Sequence, residues 1–579
     1  MPTEVHKLRH DLYQAAILLD DLCLYNAAKW ATEALVGLAS TEEEFEYTHP
    51  TLSTQQKRDR FQFMLAKNYF NNKEFSRAAY TLRNCVSGDA LFLRLYSMFI
   101  SIDKKATEEN DGSVNSFHKQ SMLKAQENFS DESDQEHRQE TLEELNSTLG
   151  KIVAKVDLYH EKAGEENAHL HFLAGLTYNK KKKHQLAQQL LFCSVKLFPY
   201  NWSCWQELIA TFSTFEDAHK FVTHVKKKEP TLAGHVMFTL FEVVLLQEFY
   251  QQLAMFTEKF TSLVELFPDF VFLKIQKFLV AYHGLDYFQA EQMFDEILAK
   301  DPVRLDDLDT YSNMLYVMEN KSKLAYLAHH ATQIDNYRSE TCCIVANYHS
   351  MKGEHEKAVM YFRRALLLNK LCLSAWTLMG HEFVELKNSH AAIESYRRAV
   401  DINAKDFRAW YGLGQAYEVL DMHLYALYYY QRATNLQPMD KRMWQAIGNC
   451  YEKIDKLEEA VRSFEKALSI DSLNEINTEE GEPQVSVEPH ICYKLATISE
   501  KLGRSKETYK YMRMCLEQEF DWGLSDETSK ARLWLARHAL ESHRYNEAYD
   551  LARESNFDNA HDVEEARAIA KDARERMTY

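Results

Sequence analysis

The sequence predicts an all-α fold, a superhelical solenoid of stacked helix hairpins, and three observations predict it. Residues 407–438 carry Trp410, Leu413, Gly414, Tyr417, Ala426, Tyr430, Ala433 and Pro438, the W-x2-L-G-x2-Y, A-x3-F and P spacing of the tetratricopeptide repeat (TPR). The register recurs 34 residues away on both sides: Trp376, Met379, Gly380, Phe383, Ala392, Tyr396 and Ala399 before it, and Trp444, Ile447, Gly448, Tyr451, Ala460, Phe464 and Ala467 after it. The composition agrees, since 9 prolines and 16 glycines against 32 tyrosines and 32 phenylalanines suit long helices packed by aromatic rings.

Each residue type in the repeat has a steric task. Gly380, Gly414 and Gly448 are expected where the first helix of a repeat meets the second too closely for a Cβ, with Ala392, Ala426 and Ala460 opposite them. Pro438 falls where a repeat ends, because proline cannot continue a helix and is tolerated at its start. A chain of 579 residues exceeds what one compact core usually serves, and stacked repeats with one concave face accommodate that length.

In chain order, residues 1–103 read as N-terminal degenerate repeats. Two amphipathic helices lie within 5–38 (Leu8, Leu12, Ala15, Leu18, Leu19, then Ala27, Trp30, Ala31, Ala34), followed by an acidic loop over 41–54. A clearer copy has Leu65, Ala66, Tyr69, Ala78, Leu82 and Cys85, and a further helix covers about 90–102. Residues 104–165 read as a charged, partly disordered insertion, with 104–138 disordered or loosely helical because it is too polar to bury enough apolar surface to offset its ordering. Ser130 and Ser133, each followed by an acid, are candidate phosphorylation sites, against the plainer reading of a solvated loop.

Middle repeats occupy 166–305, marked by Leu173, Ala174, Gly175, Tyr178, Ala187, Leu191, Pro199 and Trp205, then by Ala290, Phe294 and Pro302; the lysine run at 180–183 reads as a turn. Regular C-terminal repeats fill 306–470, an acidic loop 471–489, and the last repeats with a charged capping helix 490–579.

The formal net charge of −18 argues against nucleic acid or a membrane surface as partner and favours a basic one. The ten cysteines lack a C-x-x-C spacing, and Cys204, Cys342, Cys343, Cys450 and Cys492 fall at packing positions, which predicts core thiols in a reducing compartment. With no signal-peptide pattern and no run of 18 uncharged apolar residues, the expected location is nucleus and cytoplasm.

Catalysis finds no support. Phosphate-binding glycine loops, H-E-x-x-H and G-x-S-x-G are missing, His329 and His330 are adjacent and point apart on a helix, and His349 replaces the usual tyrosine of its repeat as a packing residue. No catalytic residue, metal ligand or cofactor is expected.

The chemistry left is that of the concave face. Counting the tryptophan as 4, positions 2, 5, 9 and 12 of the first helix face inward. They place Asn347, Thr377, His381, Tyr411, Gln415, Glu418, Gln445, Asn449 and Glu452 on one surface, with Arg408 and Arg442 at its edge. Amides can bond the backbone of an extended peptide, and Glu418 and Glu452 can receive an arginine bidentately, so the face suits peptide capture, against the plainer reading that helix faces are usually polar. A cochaperone clamp for acidic tails is the alternative; it needs a lysine and arginine set, of which this face offers Arg408 and Arg442.

Five stretches between 312 and 451 narrow the reading: Leu324-Ala325-Tyr326-Leu327-Ala328-His329, Ile334-Asp335-Asn336-Tyr337-Arg338, Glu340-Thr341-Cys342-Cys343, Ala375-Trp376-Thr377-Leu378-Met379-Gly380-His381-Glu382 and Arg408-Ala409-Trp410-Tyr411-Gly412-Leu413-Gly414-Gln415. With Asp301-Pro302-Val303-Arg304 upstream, they resemble the family of subunit 8 of the anaphase-promoting complex, or cyclosome, most specifically over about 270–470. The resemblance implies a non-catalytic scaffold in a multi-subunit ubiquitin ligase that drives mitotic exit. It further implies a homodimer through the N-terminal repeats, contacts with sister TPR subunits and scaffold subunits, and a C-terminal groove for an arginine-containing N-terminal motif of the coactivator.

Overall fold

In the computed structural model the described residues are 2–39, 53–109, 131–163, 166–249, 253–284, 286–475, 488–553 and 560–577. Among them every regular element is a helix, as the repeat spacing predicts. The chain packs as two compact units, Met1–Asp335 and Asn336–Tyr579, and the helix pair Leu308–Val317 and Lys321–Ile334 lies in the first.

In the first unit the opening hairpin, Pro2–Asp21 and Tyr25–Val36, forms as expected. Its packing partner is remote in sequence. Trp30 stacks on Trp202 with centroids 4.8 Å apart, and Phe270 and Phe272 meet the Trp30 ring edge-on. The Ala39 amide donates to Leu266 O at 3.0 Å, Lys29 pairs with Asp306 at 2.6 Å, and Tyr200 donates to Asp11 at 3.0 Å. A Cβ on Gly37 would lie 2.6 Å from Phe270 Cα, so this approach requires glycine.

Residues 131–163, inside the expected insertion, form the helix Asp131–Ala163, which packs against Gly88–Glu109. Leu149, Ile152, Val153 and Val156 are buried at i, i+3, i+4 and i+7; this narrow stripe is diluted by the charged residues around it. Leu65 is 45% exposed although Ala66, Ala78 and Leu82 of the same copy are buried. The expected loop over 41–54 lies outside the described residues except for its end, where Ser53 and Gln56 form a capping box that opens the helix Thr54–Asn71. Ser130 is also outside them, and Ser133 belongs to the first turn of Asp131–Ala163.

The second unit stacks six hairpins in sequence order: Ser339–Met351 with His355–Leu368, Leu373–Glu385 with Ser389–Ile402, Phe407–Val419 with His423–Leu436, Lys441–Lys453 with Leu457–Glu475, Pro489–Lys501 with Ser505–Glu517, and Asp526–Glu541 with Tyr545–Arg553. Ala560–Met577 follows, burying Ala566, Ile569 and Ala573 as a cap. The repeat glycines behave as predicted: a Cβ would come within 2.8 Å of the Tyr396 ring at Gly380, 2.4 Å of Tyr430 at Gly414 and 2.7 Å of Phe464 at Gly448. At Gly412, without an assigned task in the sequence and lying in the following repeat, a Cβ would also come within 2.4 Å of the Tyr396 ring.

The tryptophans also join repeats. The indole N–H groups of Trp376, Trp410 and Trp444 donate to Lys370 O, Ala404 O and Pro438 O at 3.0, 2.8 and 2.8 Å, each six residues earlier. This satisfies the one polar atom of a ring otherwise packed between helices.

The turn within each hairpin carries a left-handed residue at a fixed place: Gly353, Lys387, Asp421, Asp455, Gly503 and His543, with φ of 76, 57, 57, 65, 71 and 58°. A side chain in this region is strained by about 1–2 kcal/mol, partly offset by the greater freedom that glycine loses on folding. Lys387→Gly is expected to stabilise the second unit by about 0.5–1 kcal/mol, read as a shift in the urea midpoint at unchanged slope; a lower midpoint would show that Lys387 is held by contacts rather than strained.

Candidate functional site: the concave row of the second unit

Four first helices, Ser339–Met351, Leu373–Glu385, Phe407–Val419 and Lys441–Lys453, carry the predicted row. Spacings of three and four residues keep each set on one helix face. Asn347 is buried, 2% exposed. Thr377, His381, Tyr411, Gln415, Glu418, Gln445, Asn449 and Glu452 are half-buried.

The structure separates these residues by what already holds them. Thr377 Oγ1 donates to Leu373 O at 3.1 Å and meets Asp406 Oδ2 at 3.5 Å. Gln445 Nε2 donates to Glu488 Oε2 at 2.9 Å. Tyr411 tilts against Tyr430 with centroids 5.3 Å apart, and burial pushes its phenol up.

The two acids differ most. Glu452 is 16% exposed and accepts from Lys494 Nζ at 2.9 Å and Lys501 Nζ at 3.1 Å. Burial pushes its carboxyl up, but the two lysines outweigh that and hold it below the ordinary value of 4.5. Glu418 accepts from a neutral group, Tyr430 Oη, at 2.6 Å, and among the described residues no salt bridge reaches it. Burial first, then the Glu418 charge, pushes the Tyr430 phenol far above its usual range, so it stays a donor.

The Glu452 cluster has a pH signature. A carboxyl whose folded value is depressed stabilises the fold above its unfolded value, near 4.5, and loses that contribution as pH falls through the depressed value. Glu452→Gln is therefore expected to lower stability at pH 7 and to flatten its decline below pH ~4.5, checked by urea unfolding at both ends of that range; an unchanged acid slope would remove Glu452 from the titration.

The edge arginines are engaged by acids of their own helix starts. Arg442 makes two bonds to Asp440, Nε to Oδ1 at 3.1 Å and Nη2 to Oδ2 at 2.8 Å, while the Arg408 amide donates to Asp406 Oδ1 at 3.1 Å. Burial raises the Asp406 carboxyl against the pull of Arg408.

Several residues of the row escaped the sequence reading. Asp406, Asp440 and Glu488 precede the helices and sit beside position 2 or 5; an Asp four residues before Trp410 and before Trp444 was the available signal. Glu382, 3% exposed, accepts from Ser350 Oγ at 2.6 Å and meets His355 Nδ1 at 2.8 Å, tying two repeats together beneath the surface. His349 is a packing residue as expected, stacked on Tyr361 at 5.3 Å and bonded to Glu354 at 2.9 Å. The cysteines at packing positions are buried thiols, and burial pushes Cys204 and Cys450 up to about 12. Among the described residues no cluster of three or more His, Cys, Asp or Glu could hold a metal ion, and no helix is long and apolar enough to cross a membrane.

Helix hairpins in a 34-residue register, keyed by glycine against aromatic and by tryptophan against carbonyl, define a tetratricopeptide-repeat protein. Residues 380–420 match the TPR repeat family and 441–472 the tetratricopeptide repeat family, while 7–278 match the family described as anaphase promoting complex subunit 8 / Cdc23. The chain is 40% identical over 634 residues to the anaphase-promoting complex subunit CDC23 of Saccharomyces cerevisiae, covering 99% of both chains. It is 34% identical over 429 residues to the anaphase-promoting complex subunit 8 of Arabidopsis thaliana, covering 66% of each. The solved APC/C hetero-tetramer Cut9-Hcn1 matches with a TM-score of 0.50 and 13% identity over 91% of this chain and 96% of that one, a likeness of fold alone. The chain belongs to the anaphase-promoting complex subunit 8/Cdc23 family. The likeness extends well beyond the 270–470 window that the sequence motifs suggested.

Proposed function

We propose that the protein is a non-catalytic scaffold subunit of an anaphase-promoting complex, an E3 ubiquitin ligase of the cell cycle, acting in nucleus and cytoplasm. Its concave row takes the arginine-containing N-terminal motif of a coactivator, and its N-terminal repeats pair with a second copy beside sister TPR subunits. The observation that carries the groove reading is Glu418, a carboxylate on the concave wall held by a tyrosine and not by a cation. An incoming guanidinium meets an uncompensated charge there, whereas Glu452 is already neutralised by two lysines. The cochaperone alternative weakens because Arg442, one of its two cations, is occupied by Asp440.

The homodimer reading is supported by an apolar face on the helix Thr54–Asn71, where Phe61 is 85% exposed and Met64 and Leu65 follow at helical spacing. Phe61→Glu with Leu65→Glu is expected to yield a monomer by sedimentation velocity without loss of helical content; a persistent dimer would move the interface elsewhere.

The scaffold reading is tested by co-purification from dividing cells. Wild type should recover a cullin-like and a RING subunit together with the coactivator, and Asn347→Ala with Glu418→Ala should keep the first two and lose the third. Recovery of no ligase subunit by either protein would overturn it.

A further inference from the structure

Position 5 of a first helix repeatedly meets the residue just before the next first helix. Thr377 meets Asp406 at 3.5 Å and Gln445 meets Glu488 at 2.9 Å. One repeat earlier the equivalent places hold two cysteines, Cys343 on Ser339–Met351 and Cys372 at the start of Leu373–Glu385, with their sulfurs 3.9 Å apart. Both are thiols; Cys343 is buried and Cys372 half-exposed. Cys343 is one helical turn from Asn347, on the same face.

We propose that Cys343 and Cys372 are a dithiol that a hydroperoxide closes into an intrachain disulfide, stapling the first two concave helices of the second unit beside Asn347. Cys372 is the less buried of the two residues, and it lies at the N-terminus of a 13-residue helix, which favours the negative charge of an attacking thiolate. The Cys372 sulfur attacks one peroxide oxygen, the O–O bond breaks, and the products are a sulfenic acid and water (or an alcohol from an organic hydroperoxide). The Cys343 sulfur then attacks the sulfenic sulfur, the S–S bond forms, and the departing hydroxyl leaves as water with the Cys343 proton. Two electrons pass from the sulfurs to the peroxide oxygens. The sulfurs need to close by about 2 Å to reach bonding distance, within the sweep of a rotation at the half-exposed Cys372. Cys342, adjacent on the helix and also buried, points to a different side. Cys85 and Cys193, half-exposed elsewhere, have thiols raised by burial and serve as internal comparators.

The staple holds the first two concave helices in one spacing, so it is expected to weaken binding of the arginine-bearing peptide. This consequence rests on the groove reading above; the chemistry of the pair does not. The test treats the full chain with graded hydrogen peroxide, alkylates it and maps the peptides by mass spectrometry. The expected result is a cross-link between Cys343 and Cys372 with loss of two hydrogens, reversed by dithiothreitol, while Cys85 and Cys193 remain alkylated. In Cys343→Ser the Cys372 sulfur should advance to sulfinic acid, and in Cys372→Ser the Cys343 thiol should stay reduced at the same dose. Circular dichroism melting checks that each variant folds, with Cys343→Ala as the second choice at the buried position. Sulfinic acid on wild-type Cys372 without a cross-link, or a bridge through Cys342, would overturn the proposal. Peptide affinity measured before and after oxidation should fall and recover with dithiothreitol, and should not change in Cys372→Ser. Equal affinity in both wild-type forms would overturn the coupling to binding. If reduced wild type binds no arginine peptide, the groove reading fails, and the peptide map still decides the dithiol.

Discussion

Gly414→Val is expected to destabilise the second unit by ~3 kcal/mol, a fall of roughly 6–12 °C in its melting temperature. The new Cβ would stand 2.4 Å from Cε1 of Tyr430. That ring has no easy retreat: it is 1% exposed, and its hydroxyl is fixed on Glu418 at 2.6 Å. Overpacking therefore has to be relieved by separating the two helices of the hairpin, which also loosens Gly412 and the Tyr396 ring in the repeat before. Differential scanning calorimetry measures the shift. Double-mutant analysis supplies the control: Gly414→Ala and Tyr430→Leu should each cost stability alone and less than their sum together, because the smaller side chain vacates the space that the Cβ needs. Strictly additive losses would mean that the glycine is there for a reason other than this contact.

The second large effect falls on binding. Glu418→Gln is expected to weaken an arginine-bearing peptide by ~10–150-fold, the worth of a charge-assisted hydrogen bond of about 1.5–3 kcal/mol. Glu452→Gln should change the same affinity less than about threefold, because its charge is already shared between Lys494 and Lys501. Glu418→Gln also keeps the Tyr430 contact possible, since a glutamine carbonyl accepts as the carboxylate did. Fluorescence polarisation with peptides bearing arginine, lysine or citrulline at the critical place separates charge from shape. A loss at Glu452 equal to that at Glu418 would put the arginine at the later repeat, and no loss at either would remove the row from arginine recognition.

Legibility of the concave row was uneven for a physical reason. The 34-residue register fixes which backbone positions turn inward, and Thr377, Tyr411, Gln415 and Glu418 are placed by it without further information. Register does not report the partner of a side chain. Glu418 and Glu452 occupy the same place in successive repeats and read identically, yet one faces a tyrosine of its own hairpin and the other two lysines of the next. Asp406 and Asp440 went unread because an acid before a helix is so commonly a cap that it draws no functional attention. Asn347 was named from its position, but its burial follows from how tightly the neighbouring helices close over it.

Elsewhere the same division holds. Trp410 and its two counterparts, with the glycines four residues beyond, establish from sequence alone that this chain is an all-α array of hairpins, because those residues encode contacts between segments fewer than 35 residues apart. Composition hid the helix Asp131–Ala163, whose four-residue apolar stripe is visible only once its target on Gly88–Glu109 is known. The stack of Trp30 on Trp202 and the bond from Lys29 to Asp306 join residues far apart in the chain. Local pattern carries no term for such distances. They are decided by how the small angle between one hairpin and the next accumulates over many repeats, and that sum exists only in the folded molecule.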